Sequence, residues 1–427
     1  MTKVVRTSRL LKLKPYLTCK VTDKERVLSN IPFDPRPGLG LRPIINVSGT
    51  MTELGASIVS PEVVAAVSDI LPHFVEISHL QRLASRQIAM STGAQAGYIT
   101  ASSASALTLS VAACMTGSSL SEIEQLPDTQ GMRSKVLLQM GHAIHYGASI
   151  EQTIRLSGAQ VRLIGTATLA SGYQLEAAID DDTAAAVFVV SHHVVDHGQI
   201  GLPEFVEICH ARNVAVIVDA ASEYDLHGFL SAGADIVIYS AHKFLGGCTA
   251  GVVAGKLDLV RSMYLQNRGI GRGFKVGKES IVGSIAALRA WSTRDHIAVR
   301  AREAAAMQVW MELFAPLPGV QVAIEPDPTG NPLSRLRIQI DPASAGITAW
   351  DLADRLEQHS PPIIVRDHDV EQGFLVLDPC NLHPGQEHIV ADAVIAICRA
   401  AMRSPESSRT LVERRAANAQ SLLSWPD

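Results

Sequence analysis

An aspartate that closes one buried strand and a lysine that follows the next carry the clearest chemistry in these 427 residues. Short apolar runs end in Gln139-Met140-Gly141-His142, Ser191-His192-His193, Asp219 and Ser240-Ala241-His242-Lys243. In open parallel sheets, ligands sit beyond the carboxyl ends of the strands. A lysine amine there can form a Schiff base with a carbonyl cofactor. A carboxylate beside it can keep a pyridine nitrogen protonated, so that the ring accepts electrons. That is the pair that pyridoxal 5'-phosphate requires, and it singles out Lys243 and Asp219. The phosphate wants a helix N-terminus with small hydroxyl residues, which Thr100-Ala101-Ser102-Ser103-Ala104-Ser105 offers. Each feature also has a plainer reading: a solvated lysine, a helix-capping aspartate, capping serines. Their joint order and strand context favour the chemical one.

Other charged clusters compete for roles. His192, His193, Asp196 and His197 are metal-ligand types, but they lie in a loop without fixed helical spacing, so pocket lining or simple hydrogen bonding is preferred and no metal is expected. Arg268 and Arg272 flank GIGRG, with Lys275 and Lys278 close behind. They read as an anion grip, on a neighbouring subunit's cofactor, or as an exposed basic turn. Six scattered cysteines without a C-x-x-C pair argue against a disulfide framework or a cysteine zinc site.

The elements that must position these residues are legible as alternation. Candidate strands are 135–139, 160–164, 185–191, 214–219, 235–240 and 249–255, each short, unbroken and rich in Val and Ile, as for strands covered on both faces. Between them lie helical stretches such as ASIEQTIRLSG and LPEFVEICHARN. The fold class is α/β with a mostly parallel sheet. Residues 278–314 read as a long helical region, and 319–402 as a smaller α+β domain. The expected organisation is a basic arm (1–42), a large cofactor domain (43–290), a linking helix (291–318), the small domain (319–402) and a polar tail (403–427), the tail a loosely held helix or a disordered end.

Composition bounds the class. A hydrophobic share of 47% with 19% charged residues excludes a disordered chain. No apolar run reaches the roughly 18–20 residues of a spanning helix. The basic start is no secretory signal, so a soluble, cytoplasmic protein is expected. Residues 1–42 hold ten basic against three acidic side chains, a net +7 that leaves −12 for the rest of a chain whose total is −5. An acidic body with one basic arm argues against a nucleic-acid partner.

VDAASEYDL, GADIVIYSAHKFLGGCTAGVVAG and GIGRGFKVGKESIVGSIAALRAW resemble fold-type-I pyridoxal-phosphate enzymes of the selenocysteine synthase-like group. Within it the chain is most similar to the D-glucosaminate-6-phosphate ammonia-lyase branch. INVSGTMTELGAS, GAQAGYITASSASALTLSVAACMTG and GHAIHYGASIEQTIRLSGAQV match the group's earlier segments, so the likeness spans roughly residues 43–400. It implies the fold-type-I fold, a Schiff base at Lys243, a ring-nitrogen contact from Asp219, a phosphate cup at Ser102, Ser103 and Ala104, and Ser240 near the phosphate. It also implies that His142, or else His145, stacks on the cofactor ring, and that Arg366 grips a substrate carboxylate. Two departures stand out. Ala101-Ser102-Ser103 replaces the group's common Ser-Gly-Ala, and Ser-x-His-Lys is reminiscent of cysteine desulfurase-like enzymes.

The expected reaction is an α,β-elimination on an amino acid with a β-hydroxyl or similar leaving group, giving a 2-oxo acid and ammonia. Lys243 would move the Cα proton, and His242 or His193 would protonate the departing hydroxyl, with His193, Arg366 and Arg272 on the substrate. Racemisation, aldol cleavage, β-replacement of the selenium-transferase kind and a non-catalytic cofactor-binding protein are the alternatives. A homodimer or higher homo-oligomer with shared sites is expected.

Overall fold

The computed structural model describes residues 34–195, 197–403 and 409–426. Expectations for most of the basic arm, for Asp196 and for residues 404–408 therefore lie outside the described residues. Residues 34–43 carry a short helical turn, Pro37–Leu39, closed by Gly40 at φ 71°. Residues 44–427 form one compact unit.

Strand β1 (Ile45–Val47) is followed by seven strands that share one sheet: β2 (Ala96–Thr100), β3 (Lys135–Gln139), β4 (Gln160–Ile164), β5 (Thr183–Val189), β6 (Ala215–Asp219), β7 (Ile236–Ser240) and β8 (Gly251–Gly255). Their spatial order is β2-β8-β7-β6-β5-β3-β4. All neighbours pair parallel except β8, which is antiparallel to both β7 and β2. Two reversals bring β2 back to the common direction. Thr100, Gln139, Val189, Asp219 and Ser240 therefore all end at one edge of the sheet, where β8 begins. The register sets Gly251 opposite both Thr100 and Ser240.

Unbroken apolar strands follow from burial on both faces. Val216 and Val218 of β6 enter one core, while Ile217 enters the other. Helix α1 (Pro61–Ile70) packs on α5 (Lys278–Thr293), and α2 (Ile77–Thr92), α3 (Ser103–Thr116), α4 (Leu202–Ala211) and α5 itself pack on the sheet. Helix α3 is apolar or small all round, and twelve of its fourteen residues are buried. The expected strands 135–139 and 160–164 occur unchanged, and the strand expected over 185–191 runs Thr183–Val189.

The helical region after residue 278 is broken. Asp295 accepts the Ala298 N–H at 2.9 Å and caps a new helix, α6 (His296–Phe314). Beyond it, β9 (Val320–Pro326) and β10 (Ser334–Ile340) pair antiparallel. Helix α7 (Ala349–Glu357) leads to β11 (Ile363–Val365), and β12 (Phe374–Leu377) then pairs with β10. Helix α8 (Gln386–Arg403) completes this second core. Strand β1 pairs parallel with β11, so Ile45 and Val47 pack in the C-terminal core although they precede the large sheet in sequence. The tail forms α9 (Leu411–Leu423), whose Arg414 donates to Asp354 at 2.7 Å and to Asp367 at 2.5 Å.

Candidate active site

Strand ends bring Asp219 and Lys243 together. Asp219 closes β6, and its carboxylate accepts the Ala221 N–H at 3.2 Å. Burial raises its pKa, while the Lys243 charge and that hydrogen bond pull it down. Lys243 follows β7 by three residues and donates to Ser222 Oγ at 2.5 Å. Burial lowers the lysine's pKa, against the attraction of Asp219 and Glu223 and with the repulsion of Arg366. A buried amine with a depressed pKa is the form that acts as nucleophile and base.

The phosphate side is built by α3. Ser102 caps the helix, accepting the Ser105 N–H at 3.1 Å, while the Ser105 hydroxyl accepts from the Ser102 N–H at 2.8 Å. With Ser105 capped, the Ser103 and Ala104 N–H groups of the first turn remain for a ligand. Ser103 Oγ donates to the Tyr239 carbonyl at 3.4 Å, which sets the helix start beside Ser240. Ser240 Oγ lies 3.0 Å from His242 Nδ1, and His242 Nε2 is buried with no partner. Gly251 completes the cradle, since a Cβ there would stand 2.4 Å from Thr100 Oγ1 and 2.5 Å from the Ser102 carbonyl. An orphaned imidazole nitrogen, a serine hydroxyl and a free helix N-terminus on one side of a buried Lys/Asp pair fit a phosphorylated pyridine aldehyde.

Arg366 also bears on Lys243, as a guanidinium with no hydrogen-bonded carboxylate among the described residues. Arg366 Nε is buried and unpartnered, and Arg335 beside it is consumed by Asp327 at 2.6 Å and Asp378 at 2.7 Å. His192 and His193 pack with ring centroids 3.9 Å apart, and His193 meets His368 at 5.8 Å. Both rings are solvent-exposed at this edge; partial desolvation, then Arg366 and His193 for His192, and His368 and Arg366 for His193, lowers their pKa and favours the neutral form.

Three sequence expectations meet a different placement. His142 presents no free ring face: it is 2% exposed, its Nδ1 accepts the Val189 N–H at 3.1 Å, and its ring packs perpendicular to Phe188. Burial keeps it neutral, pushed down to about 4. His145 and Tyr146 of the same segment are exposed instead, and Asp219 bears on the Tyr146 hydroxyl. His242 is enclosed against Ser240 and does not line an open cleft. Arg272 sits in the turn beside Gln266, which donates to Thr116 at the far end of α3, about 20 Å from Ser102. The structure does not bring it to Lys243 within this chain. Among the described residues, no group of three His, Cys, Asp or Glu is placed to hold a metal.

Sequence reasoning missed Ser222, Glu223, Thr329, Asn331, Arg335 and His368. The β9–β10 turn reaches the segment after β6: Asn331 Oδ1 accepts the Tyr224 N–H at 2.8 Å, and Thr329 Oγ1 lies 3.0 and 3.1 Å from the Glu223 carboxylate. No local pattern links residues a hundred positions apart.

This arrangement agrees with what comparison finds. The family described as SelA: L-seryl-tRNA selenium transferase matches residues 44–305. The chain belongs to this family. It is 34% identical over 352 residues to D-glucosaminate-6-phosphate ammonia lyase of Salmonella typhimurium, covering 82% of this chain and 94% of that one. A 5'-C-glycyluridine monooxygenase-decarboxylase from a Streptomyces species is 33% identical over 355 residues, covering 82% and 89%. The solved structure of a D-glucosaminate-6-phosphate ammonia-lyase superposes with a TM-score of 0.79 at 33% identity, over 87% of this chain and all of that one. Serine palmitoyltransferase from Sphingomonas wittichii, at 13% identity and a TM-score of 0.54 over 84% and 88%, shares the fold. The fold is that of fold-type-I enzymes, and the family member is an enzyme that uses pyridoxal phosphate.

Proposed function

We propose that this enzyme is an ammonia-lyase that eliminates across Cα and Cβ of an amino acid bearing a β-hydroxyl or similar leaving group, releasing a 2-oxo acid and ammonia. The observation that carries the reading is the buried Asp219/Lys243 pair facing an unpartnered Arg366, in a chain 34% identical to an ammonia lyase over most of its length. The cofactor, when bound, supplies the electron sink that stabilises negative charge at Cα.

The chain's own residues do the rest. Ser103 and Ala104 N–H groups, with Ser102 and Ser240, would hold the phosphate, and His242 would support Ser240 from behind. Asp219 keeps a proton on the ring nitrogen. Lys243 would hold the cofactor, and its amine, whose pKa burial has lowered, would carry the Cα proton. Arg366 takes the substrate carboxylate through a bidentate contact, compensating a guanidinium that now lacks one. Neutral His193, with His368, hydrogen-bonds the leaving group. The ring face falls to His145 or Tyr146 rather than His142. Arg272 would serve a neighbouring copy's site in a homo-oligomer, as it is remote from Lys243 within one chain.

The test is a panel of β-hydroxy amino acids of both configurations, assayed for 2-oxo acid and ammonia. Equimolar release of both is expected from at least one member. Inverted substrate without ammonia would replace the reading with racemisation. An aldehyde product would replace it with aldol cleavage.

A further inference from the structure

Glu223 lies four residues beyond Asp219 and is 8% exposed. Thr329 Oγ1 stands 3.1 and 3.0 Å from its two oxygens, and 2.7 Å from Asp327 Oδ1. A hydroxyl owns one hydrogen and two lone pairs, so it cannot donate to both carboxylates. Asn331 Nδ2 donates to the same oxygen at 3.0 Å and occupies one lone pair. Asp327 is the ionised partner, because its other oxygen accepts from Arg335 at 2.6 Å. The Thr329 hydrogen therefore goes to Asp327. The remaining lone pair faces Glu223, and only a carboxylic acid can fill it.

We propose that Glu223 carries a hydrogen at neutral pH and is a positioning residue for the reactive amine, withholding a second negative charge from Lys243 until it ionises. This rests on Lys243 being the amine that holds the cofactor. The groups facing Glu223 are Asp327 from the β9–β10 turn, Lys243 after β7 and Tyr239 within it. Around Lys243 stand Asp219 and Arg366. Burial first, with Asp327 adding and Thr329, Asn331 and Lys243 opposing, pushes Glu223 up to about 7, in line with the hydrogen count. With Glu223 neutral, Lys243 feels the carboxylate of Asp219 without that of Glu223, and the amine sheds its proton more easily. As Glu223 ionises, a second anion holds that proton on.

The probe is pyridoxal phosphate bound to the full chain, read by its absorption against pH. Glu223→Gln keeps a donor toward Thr329 and cannot ionise. It should take up the cofactor and titrate about one pH unit lower than the parent, the usual size of one nearby opposite charge. Infrared difference spectra of the parent between acid and alkaline pH should contain the C=O stretch of a buried carboxylic acid, absent in Glu223→Gln. Thr329→Val, which deletes the acceptor without touching the carboxyl, should shift that band and covers the case in which Glu223→Gln fails to fold. An unchanged titration in Glu223→Gln, or a C=O band unmoved by Thr329→Val, overturns the proposal. A parent whose cofactor spectrum is the same with Lys243→Ala overturns the lysine assignment instead, and the two failures are thereby distinct.

Discussion

Single side chains in this site are defined by what they lack. His242 Nε2 and Arg366 Nε are both buried without partners, and an unmade hydrogen bond to a buried group costs about 1–3 kcal/mol. Each is a place where a ligand's binding energy exceeds that of an ordinary surface contact. Lys243→Ala should give a colourless protein, whereas the parent should be yellow and bleached by borohydride. Arg366→Lys should raise KM about 10- to 100-fold with a smaller effect on kcat, from the ~1.5–3 kcal/mol of hydrogen bonds to a charged group. Steady-state kinetics decide this, and a fall in kcat alone would move Arg366 out of substrate binding. Asp219→Asn should retain the cofactor and lose about 10²–10³-fold in kcat, because an amide cannot stabilise a protonated ring nitrogen.

At the scale of elements, close backbone approach builds the phosphate cradle. Gly251 of β8 sits under both Thr100 and Ser102, and any Cβ there pushes on the start of α3. Gly251→Ala should weaken pyridoxal phosphate binding measurably by equilibrium dialysis and lower stability by about 1–3 kcal/mol, the usual cost of overpacking. A similar approach explains why β2 escapes a reading of the sequence. Gly97 lies against Ile88 of α2, where a Cβ would come within 2.4 Å, so a strand closed by packing carries glycine in place of Val or Ile. Parallel strands such as 135–139 were legible because both their faces are buried. The break between α5 and α6 was legible only in hindsight: Asp295 is a fair cap, yet flanking apolar residues continue the helical pattern across it.

Over the whole molecule, a buried charge network holds the strands of the C-terminal part together beside the site. Arg335 of β10 bridges Asp327 and Asp378, both of which it and nearby donors hold below the ordinary aspartate value of 3.8 despite burial. Their contribution to stability is present above that value and lost as pH falls through the lower folded values. Glu223 and Glu303 behave oppositely, since burial raises each from 4.5 to about 7. Their contribution is present below 4.5 and lost as pH rises through 7. Thermal unfolding should therefore peak in mildly acid buffer, and Glu303→Gln should flatten the decline from pH 5 to 8. Arg335→Met should cost about 3–5 kcal/mol by stranding two buried carboxylates. Shared sites would show as complementation: mixing and reassociating Lys243→Ala with Arg272→Ala should restore activity that neither has alone. Two inactive parents that stay inactive after mixing would confine Arg272 to its own chain.

The sequence by itself determined the parallel sheet and the Asp219/Lys243 pair, because strand ends and unbroken apolar runs are local patterns with a local physical cause. The tertiary structure alone decided which side chains face that pair. It turned His142 inward against Phe188, joined Ile45–Val47 to a core that follows three hundred residues later, and set the β9–β10 turn on Glu223. Hydrogen-bond partners more than a hundred residues apart leave no periodicity to read. Only packing, which must satisfy every buried donor and acceptor at once, chooses them.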